Sequence, residues 1–413
     1  MTSQPAEVRT ASRPATKDPM RVLFISHDAG LDGAQRALLT LLSASDRRVC
    51  SPLLLVPYDG PINRAAAALG IPVFVERLVH WIPSSSVSTR RQRLRHRYHF
   101  IRSLRSRCRA IERLILEQGV DLVYTNTVTC VEGAIAARRT RKPHIWHIHE
   151  HISGNKGIAT LLPFRIYCTT IKFLSRAVIF CSRALASEYP QLSRKASIVY
   201  NGLPPLPMMR DRIAIRSKVT NELGIVAGAK IVTMVGALHP GKDHETFLSS
   251  AEQVARSVEE VNFLIVGAGS ESYTNGIRRR IRDLQLESRV RLLGWRDDIL
   301  DLMAASDVLV VSSEKESFGL TAIEALSVET PVVSTRCGGP EEILEDGVTG
   351  LLVPVKDPLA MAEAIVRLLS DPVFARRMGA SGRIHVSEHF GVDRYVQGIQ
   401  RIIREASSTQ RKG

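Results

Sequence analysis

One pattern, written twice, limits what this chain can fold into. Arg21-Val-Leu-Phe-Ile-Ser26 is a short apolar run that ends in a glycine-containing loop, His27 to Gly33, before a helical pattern from Ala34 to Leu42. In the second half, Lys230 to Val235 is another apolar run, followed by the loop Gly236 to Asp243 and a helical pattern from about His244 to Ser257. Apolar run, glycine loop and amphipathic helix together make the βα unit of a parallel sheet. Further runs continue the first half at Pro52–Pro57, Val120–Thr125, His144–His149 and Ala177–Cys181. The second half continues at Asn262–Val266, Val290–Leu293, Val308–Val311, Pro331–Ser334 and Gly350–Val353. The expectation is α/β, with two doubly wound domains whose ligands bind at the carboxyl ends of the strands.

The length of 413 residues suits two domains or three, at about 100–200 residues each. Asn201-Gly-Leu-Pro-Pro-Leu-Pro207 can continue neither helix nor strand and marks the boundary. The expected division is a disordered tail over 1–19, a first domain over 20–203 and a second over 204–391. Residues 382–405 read as a final helical region with a break at Phe390-Gly391, and Ser407 to Gly413 as a frayed end. The polar start lacks the apolar core of a secretory signal, and no window has the ~18 apolar residues of a membrane span. Six scattered cysteines without zinc spacing point to a reducing, cytoplasmic compartment.

Charge is unevenly spread. Residues 1–200 hold 30 Lys+Arg against 13 Asp+Glu, a net of +17, whereas residues 201–413 hold 26 against 28, a net of −2. An anionic partner of the first half is implied. Much of the excess lies in residues 90–113, with ten arginines and one acid, Glu112. Leu94, Tyr98, Ile101, Leu104, Cys108, Ile111 and Ile115 recur at steps of three and four, so the stretch reads as an amphipathic helix with an arginine-rich outer face. Arg95, Arg102, Arg105 and Arg109 are its candidate contacts. The face is either simply solvated or a surface for anionic lipid or a phosphorylated acceptor. Nucleic acid is unsupported, because aromatics are 5% of the chain and no nucleic-acid-binding motif is present.

The densest signal is Ser312 to Val353. Val308–Ser312 reads as a buried strand, Ser313–Gly319 as a loop and Leu320–Leu326 as a helix. Amides of Gly319, Leu320 and Thr321 would then point from a helix N-terminus at the strand ends, an anion cradle. Glu316 on the loop and Glu324 along the helix suit hydrogen bonding to sugar hydroxyls, since a carboxylate accepts strongly and from two hydroxyls at once. The alternative is a capping Glu316 and a solvated Glu324.

Glu316-x7-Glu324 with Phe318-Gly319-Leu320 inside it resembles the signature of the GT-B glycosyltransferases of family 4. The resemblance continues upstream through Gly294-Trp-Arg-Asp-Asp298 and Ala305-Ser-Asp307-Val. Downstream it takes in Pro331-Val-Val-Ser334, Gly338-Gly339-Pro-Glu-Glu342 and Gly347-Val-Thr-Gly350-Leu-Leu-Val353. It implies two Rossmann-like domains facing across a cleft, with the first binding acceptor, the second binding nucleotide sugar, and the last helix (about 392–406) returning to the first. It also implies sugar transfer from a nucleotide-diphosphate sugar to an acceptor hydroxyl with retention of configuration. By position, Glu324 is the ribose ligand, and Glu316 contacts the donor sugar together with the segment Ser317, Phe318, Gly319 and Leu320. Lys242, six residues after Gly236, neutralises the diphosphate. The Arg that the family carries just after that glycine is Ala237 here, leaving Lys242 and amides alone or with help from His239, His244 or Arg336. Trp295 falls in the nucleobase region, where it either stacks on a base or packs. His149, at a strand end, is placed beside the donor sugar, and Asn126 is the polar strand-end residue on the acceptor side.

Leu31-Asp-Gly33-Ala34-Gln-Arg36 is similar to the family's glycine-rich first loop, and Gly33 permits close backbone approach to a phosphate or is a plain turn. Gly267, in Val266-Gly-Ala-Gly269, reads as a tight turn in the donor crevice, and not as an NAD site. His144, His147, His149 and His151 allow three readings: a metal site, structural histidines or a crevice histidine. No DxD occurs, so the expectation is no metal and no cofactor beyond the donor substrate. The implied setting is exopolysaccharide, lipopolysaccharide or glycolipid synthesis, peripheral on the inner face of an anionic membrane, with a sugar, lipid-linked or glycan acceptor. A non-catalytic glycan- or nucleotide-binding relative and a same-fold sugar-nucleotide epimerase are the alternatives.

Overall fold

The computed structural model describes residues 19–83, 89–153, 161–205 and 211–408. The expected tail therefore lies outside the described residues except for Pro19. The described strands form two parallel sheets. The first holds β1 (Met20–Ile25), β2 (Cys50–Val56), β3 (Val73–Val75), β4 (Leu122–Thr125), β5 (His144–Ile148), β6 (Ala177–Phe180) and β7 (Ala196–Ile198), in the order β3-β2-β1-β4-β5-β6-β7. The second holds β8 (Lys230–Val235), β9 (Val261–Val266), β10 (Val290–Gly294), β11 (Val308–Val311), β12 (Val332–Thr335) and β13 (Gly350–Val353), in the order β10-β9-β8-β11-β12-β13. Central strands such as β4 and β11 are buried at every residue. Covered on both faces, they read in sequence as unbroken apolar runs instead of alternating ones. The order reverses between β1 and β4 and between β8 and β11, and these reversals open the crevices in which such sheets hold ligands.

The last helical region is two helices, Pro372–His389 and Val392–Ser408, broken at Phe390-Gly391. The second of them extends through Ser408, beyond the expected fray at Ser407, and residues 409–413 lie outside the description. Its Tyr395, Ile399, Ile402 and Ile403 pack with Phe24 and Tyr124 of the first sheet and with Leu38 and Leu42 of the helix Gly33–Ala44. The chain passes between the two sheets at two adjacent points. Leu203 N donates to Phe390 O at 2.9 Å and Val392 N to Leu203 O at 2.9 Å. One apolar core joins the two halves there, with Phe318 of the second half 6.0 Å from Tyr200 and 5.8 Å from Phe390, ring centre to ring centre.

The arginine-rich segment is one helix, Arg90–Glu117, started by Thr89 and Gln92 in a reciprocal capping box. Its apolar stripe divides. Cys108, Ile111, Leu114 and Ile115 enter the core, but Leu94, Tyr98 and Ile101 are 59%, 61% and 66% exposed. Arg95, Arg102, Arg105 and Arg109 are exposed. Arg107 departs from the expected outer face: it is buried, with Nε 2.8 Å from the Glu132 carboxylate. All six cysteines are buried and free. Among the described residues no helix is long and apolar enough to cross a membrane.

Candidate functional site

The loops after β8, β9 and β10 are stacked against one another by their backbones. Gly236 N donates to Val266 O at 2.9 Å, and Gly267 N to Gly294 O at 2.8 Å. A Cβ at Gly267 would lie 2.0 Å from Gly236 O, and its φ of +145° is open to glycine alone. Beside this stack, the loop after β11 leads into the helix Leu320–Ser327. Its first cap, Gly319, has φ +108° and offers no side chain, so no side-chain cap covers the first turn. Unsatisfied amides at such a helix start are a seat for an anion.

Two carboxylates flank that seat. Glu316 accepts from Ser313 Oγ at 2.6 Å and pairs with Lys242 Nζ. Burial pushes the Glu316 carboxyl up, but the Lys242 charge and the hydrogen bonds from Lys242 and Ser313 outweigh it and hold the group below the usual carboxylate range. Ser312 Oγ donates to Lys242 O at 2.9 Å, tying the two loops together. Glu324 is almost fully buried. One of its oxygens pairs with Arg36 of the first half, and the other, Oε2, is buried without a partner. Burial raises the Glu324 carboxyl, with Arg36 opposing. The two halves meet closely at this point, since a Cβ at Gly33 would lie 3.4 Å from Leu320 Cδ1.

From the first sheet, β5 delivers His149. Its Nε2 lies 3.1 Å from Asn126 Oδ1, and Asn126 Nδ2 donates to Ala34 O at 2.9 Å. The Ala34 carbonyl thus fixes which way the Asn126 amide faces, so His149 donates from Nε2 and keeps Nδ1 as an acceptor. Burial pushes His149 down to about 4, leaving it neutral at pH 7. Asn126 is fully buried, with one end of its amide engaged by His149 and the other by Ala34. His147 lies with its ring centre 3.9 Å from that of His149, and its Nδ1 is 2.6 Å from Tyr124 Oη. His151 Nδ1 is 3.0 Å from Glu188. Among the described residues no group of three or more His, Cys, Asp or Glu is arranged to hold a metal ion.

Several expected residues are placed differently. The Phe318 side chain is sealed in the aromatic cluster with Tyr200 and Phe390, so only its backbone faces the seat. The three side chains considered as substitutes for the missing Arg are engaged elsewhere or uncharged. His239 Nδ1 accepts from Gly241 N at 3.0 Å, and burial, then Lys242, lowers its pKa. His244 is pushed down to about 4 by burial, and Arg336 pairs with Asp346 at 2.6 Å. Trp295 is exposed, with Nε1 3.2 Å from Asp297.

Other polar groups at the cleft escaped the sequence reading. Glu150 accepts from Thr127 Oγ1 at 2.7 Å and Val128 N at 3.0 Å, pinning the loop after β4. Glu342 reaches from the second half to the first turn of the helix Arg183–Ser187, accepting from Arg183 N at 2.9 Å, Ala184 N at 2.6 Å and Tyr200 Oη at 2.8 Å. A carboxylate three residues past the paired glycines Gly338-Gly339 was the only sequence signal for Glu342.

Comparison with known proteins places this geometry. Residues 31–205 match the family described as Glycosyltransferase Family 4, and residues 216–385 match Glycosyl transferases group 1. N-acetyl-alpha-D-glucosaminyl L-malate synthase of Bacillus anthracis is 29% identical over 245 residues, 58% of this chain and 62% of that protein. D-inositol 3-phosphate glycosyltransferase of Corynebacterium efficiens is 33% identical over 181 residues, 42% of each. These matches thus span less than two thirds of either relative. The crystal structure of Anabaena HepE in complex with UDP superimposes with a TM-score of 0.75 at 25% identity, covering 94% of this chain and 100% of that one. With a Family 4 first half, a group 1 second half and two facing Rossmann-like sheets, the chain belongs to the GT-B glycosyltransferases of the group 1/family 4 type.

Proposed function

We propose that this protein transfers a hexose from a nucleoside-diphosphate sugar to an acceptor hydroxyl, with retention at the anomeric carbon and without a metal. The observation that carries the reading is the pair of carboxylates about the uncapped helix start: Glu316 kept ionised by Lys242, and Glu324 with one buried oxygen free. In this reading Glu324 grips the ribose, while the amides of Gly319 and Leu320 and the Lys242 ammonium take the diphosphate. Charge that builds on the leaving diphosphate is then met by fixed groups that need no reorganisation. Glu316 holds Lys242 in place and faces the donor sugar, and His149 offers Nδ1 to a sugar hydroxyl. Trp295 stacks on the base, and Gly33, Gly236 and Gly267 let backbone approach the donor. UDP is the nucleotide to try first, because it occupies the HepE structure.

The acceptor side of the reading is a lipid-linked or glycan acceptor at an anionic membrane face, as in polysaccharide, lipopolysaccharide or glycolipid synthesis. The arginine helix supports it. His96 Nε2 is 2.7 Å from His80 O, and His80 Nε2 is 3.2 Å from His27 O, which ties the exposed half of that helix to the loop after β1. Exposed Leu94, Tyr98 and Ile101 beside arginines have the composition of an interfacial helix. Incubation with UDP-sugars and membrane extract, with and without chelator, tests the whole reading. The expected result is UDP release and an acceptor glycosylated with retained configuration. Binding without release would put the chain among non-catalytic relatives, and an altered free nucleotide sugar would make it an epimerase.

A further inference from the structure

Arg36 belongs to the first half and Glu324 to the second, 288 positions apart, yet their side chains form an ion pair. The partners differ in setting, with the Arg36 side chain 40% exposed and that of Glu324 3%. Arg36 lies on the helix Gly33–Ala44, one turn beyond Gly33, and Glu324 lies one turn beyond Leu320. The starts of the two helices therefore approach one another, with Gly33 beside the Leu320 side chain and Arg36 paired with Glu324. Glu324 Oε1 takes the guanidinium, and Oε2 is enclosed with nothing to accept from. A buried carboxylate left with no cation binds a proton instead, and once neutral it is a weaker acceptor. One cation on one oxygen opposes that protonation and leaves the second oxygen available.

We propose that Arg36 is a donor-site positioning residue supplied from across the cleft, holding one oxygen of Glu324 so that the other stays free for a ribose hydroxyl of the nucleotide. This rests on reading Glu324 as the ribose ligand. The donor site then draws on both halves: the second supplies the carboxylate and the first supplies the charge that keeps it an acceptor. Arg36 touches no reacting atom and acts through Glu324.

Calorimetric titration of the full chain with UDP and with 2′,3′-dideoxy-UDP tests it, using wild type, Arg36→Gln, Arg36→Lys, Glu324→Gln and the Arg36→Gln/Glu324→Gln pair. Melting curves establish that each variant is folded, and Arg36→Lys serves if Arg36→Gln is not. Arg36→Gln is expected to weaken UDP about tenfold or more, the scale of a lost hydrogen bond to a charged group. Its affinity for 2′,3′-dideoxy-UDP should match that of wild type, Arg36→Lys should lie between, and the double variant should bind UDP no more weakly than Glu324→Gln alone. A purely structural role would weaken both nucleotides alike and would overturn the proposal. Unchanged or tighter UDP binding in Arg36→Gln, with Glu324→Gln still impaired, would overturn it while sparing the ribose assignment. Full UDP affinity in Glu324→Gln would remove the ribose assignment itself, and the proposal with it.

Discussion

Asn126 holds His149 by its Oδ1, 3.1 Å from the imidazole Nε2, while spending its own amide nitrogen on Ala34. The ring is thereby fixed in one tautomer with an acceptor nitrogen left over, and it is neutral because it is buried. Asn126→Ala should release the ring. Turnover is expected to fall by up to about 10²-fold, as when a group is misplaced at a reacting centre, with UDP affinity unchanged. His149→Ala combined with Asn126→Ala should be no slower than His149→Ala alone, because the two act as one unit. Steady-state kinetics with matched UDP titrations check this, and additive losses would show that Asn126 works elsewhere.

Lys242→Ala removes the cation proposed at the diphosphate and strands the Glu316 carboxylate. Loss of a fixed charge at a developing anion costs about 10²-fold or more in turnover. Stranding a buried carboxylate also destabilises the fold, by about 3–5 kcal/mol at full burial and less here, where the Glu316 side chain is 15% exposed. Lys242→Ala/Glu316→Gln should therefore regain the melting temperature of wild type while staying inactive. A double variant that melts as low as Lys242→Ala would mean that the ion pair is not what Lys242 contributes to stability.

The two carboxylates are shifted in opposite directions, which orders their titration. Burial raises Glu324 above the ordinary range, with Arg36 opposing, whereas Lys242 and Ser313 carry Glu316 below it despite burial. On acidification Glu324 takes a proton first and the ribose loses its acceptor. UDP affinity is expected to fall at a pH where Glu316 is still ionised, and the limb should vanish in Glu324→Gln. Titrations from pH 8 downward give the answer, and a limb that survives in Glu324→Gln assigns it to another group.

For the arginine helix the measurement is co-sedimentation with liposomes. A basic residue near an anionic surface contributes about 1 kcal/mol, so Arg95, Arg102, Arg105 and Arg109 changed together to Gln should abolish binding to anionic vesicles. Nucleotide binding should survive, because these four side chains are exposed and none belongs to the proposed donor site. Binding should loosen with salt, since the Debye length falls to ~3 Å at 1 M. Wild-type protein that ignores anionic vesicles at low salt would end the membrane reading.

The βα units were legible because strands buried on both faces leave unbroken apolar runs punctuated by glycine loops. Lys230–Val235 and His244–Ser257 coincide with their expected bounds. Strands β3 and β7 escaped notice. Each has three residues, sits at a sheet edge and is not fully buried, so no run marks it. Glu316, Glu324 and Lys242 stand in local motifs and could be read. Arg36, Glu342 and Glu150 could not be assigned partners, because their roles come from tertiary contacts between distant positions. Asn126 was visible as a polar strand end, but its service to His149 depends on β4 and β5 being neighbours.

The double crossing at Leu203 and Gly391 bears on how such a protein moves. Two strands of chain lying side by side, bonded to each other by their backbones, leave the halves one axis to swing about, where a single thread would allow them to twist as well. A cleft opening on one axis brings the same atoms face to face on every return. Were the cleft to open on that axis, the pairs Arg36–Glu324 and Glu342 with the helix end it caps would be the contacts broken and re-formed.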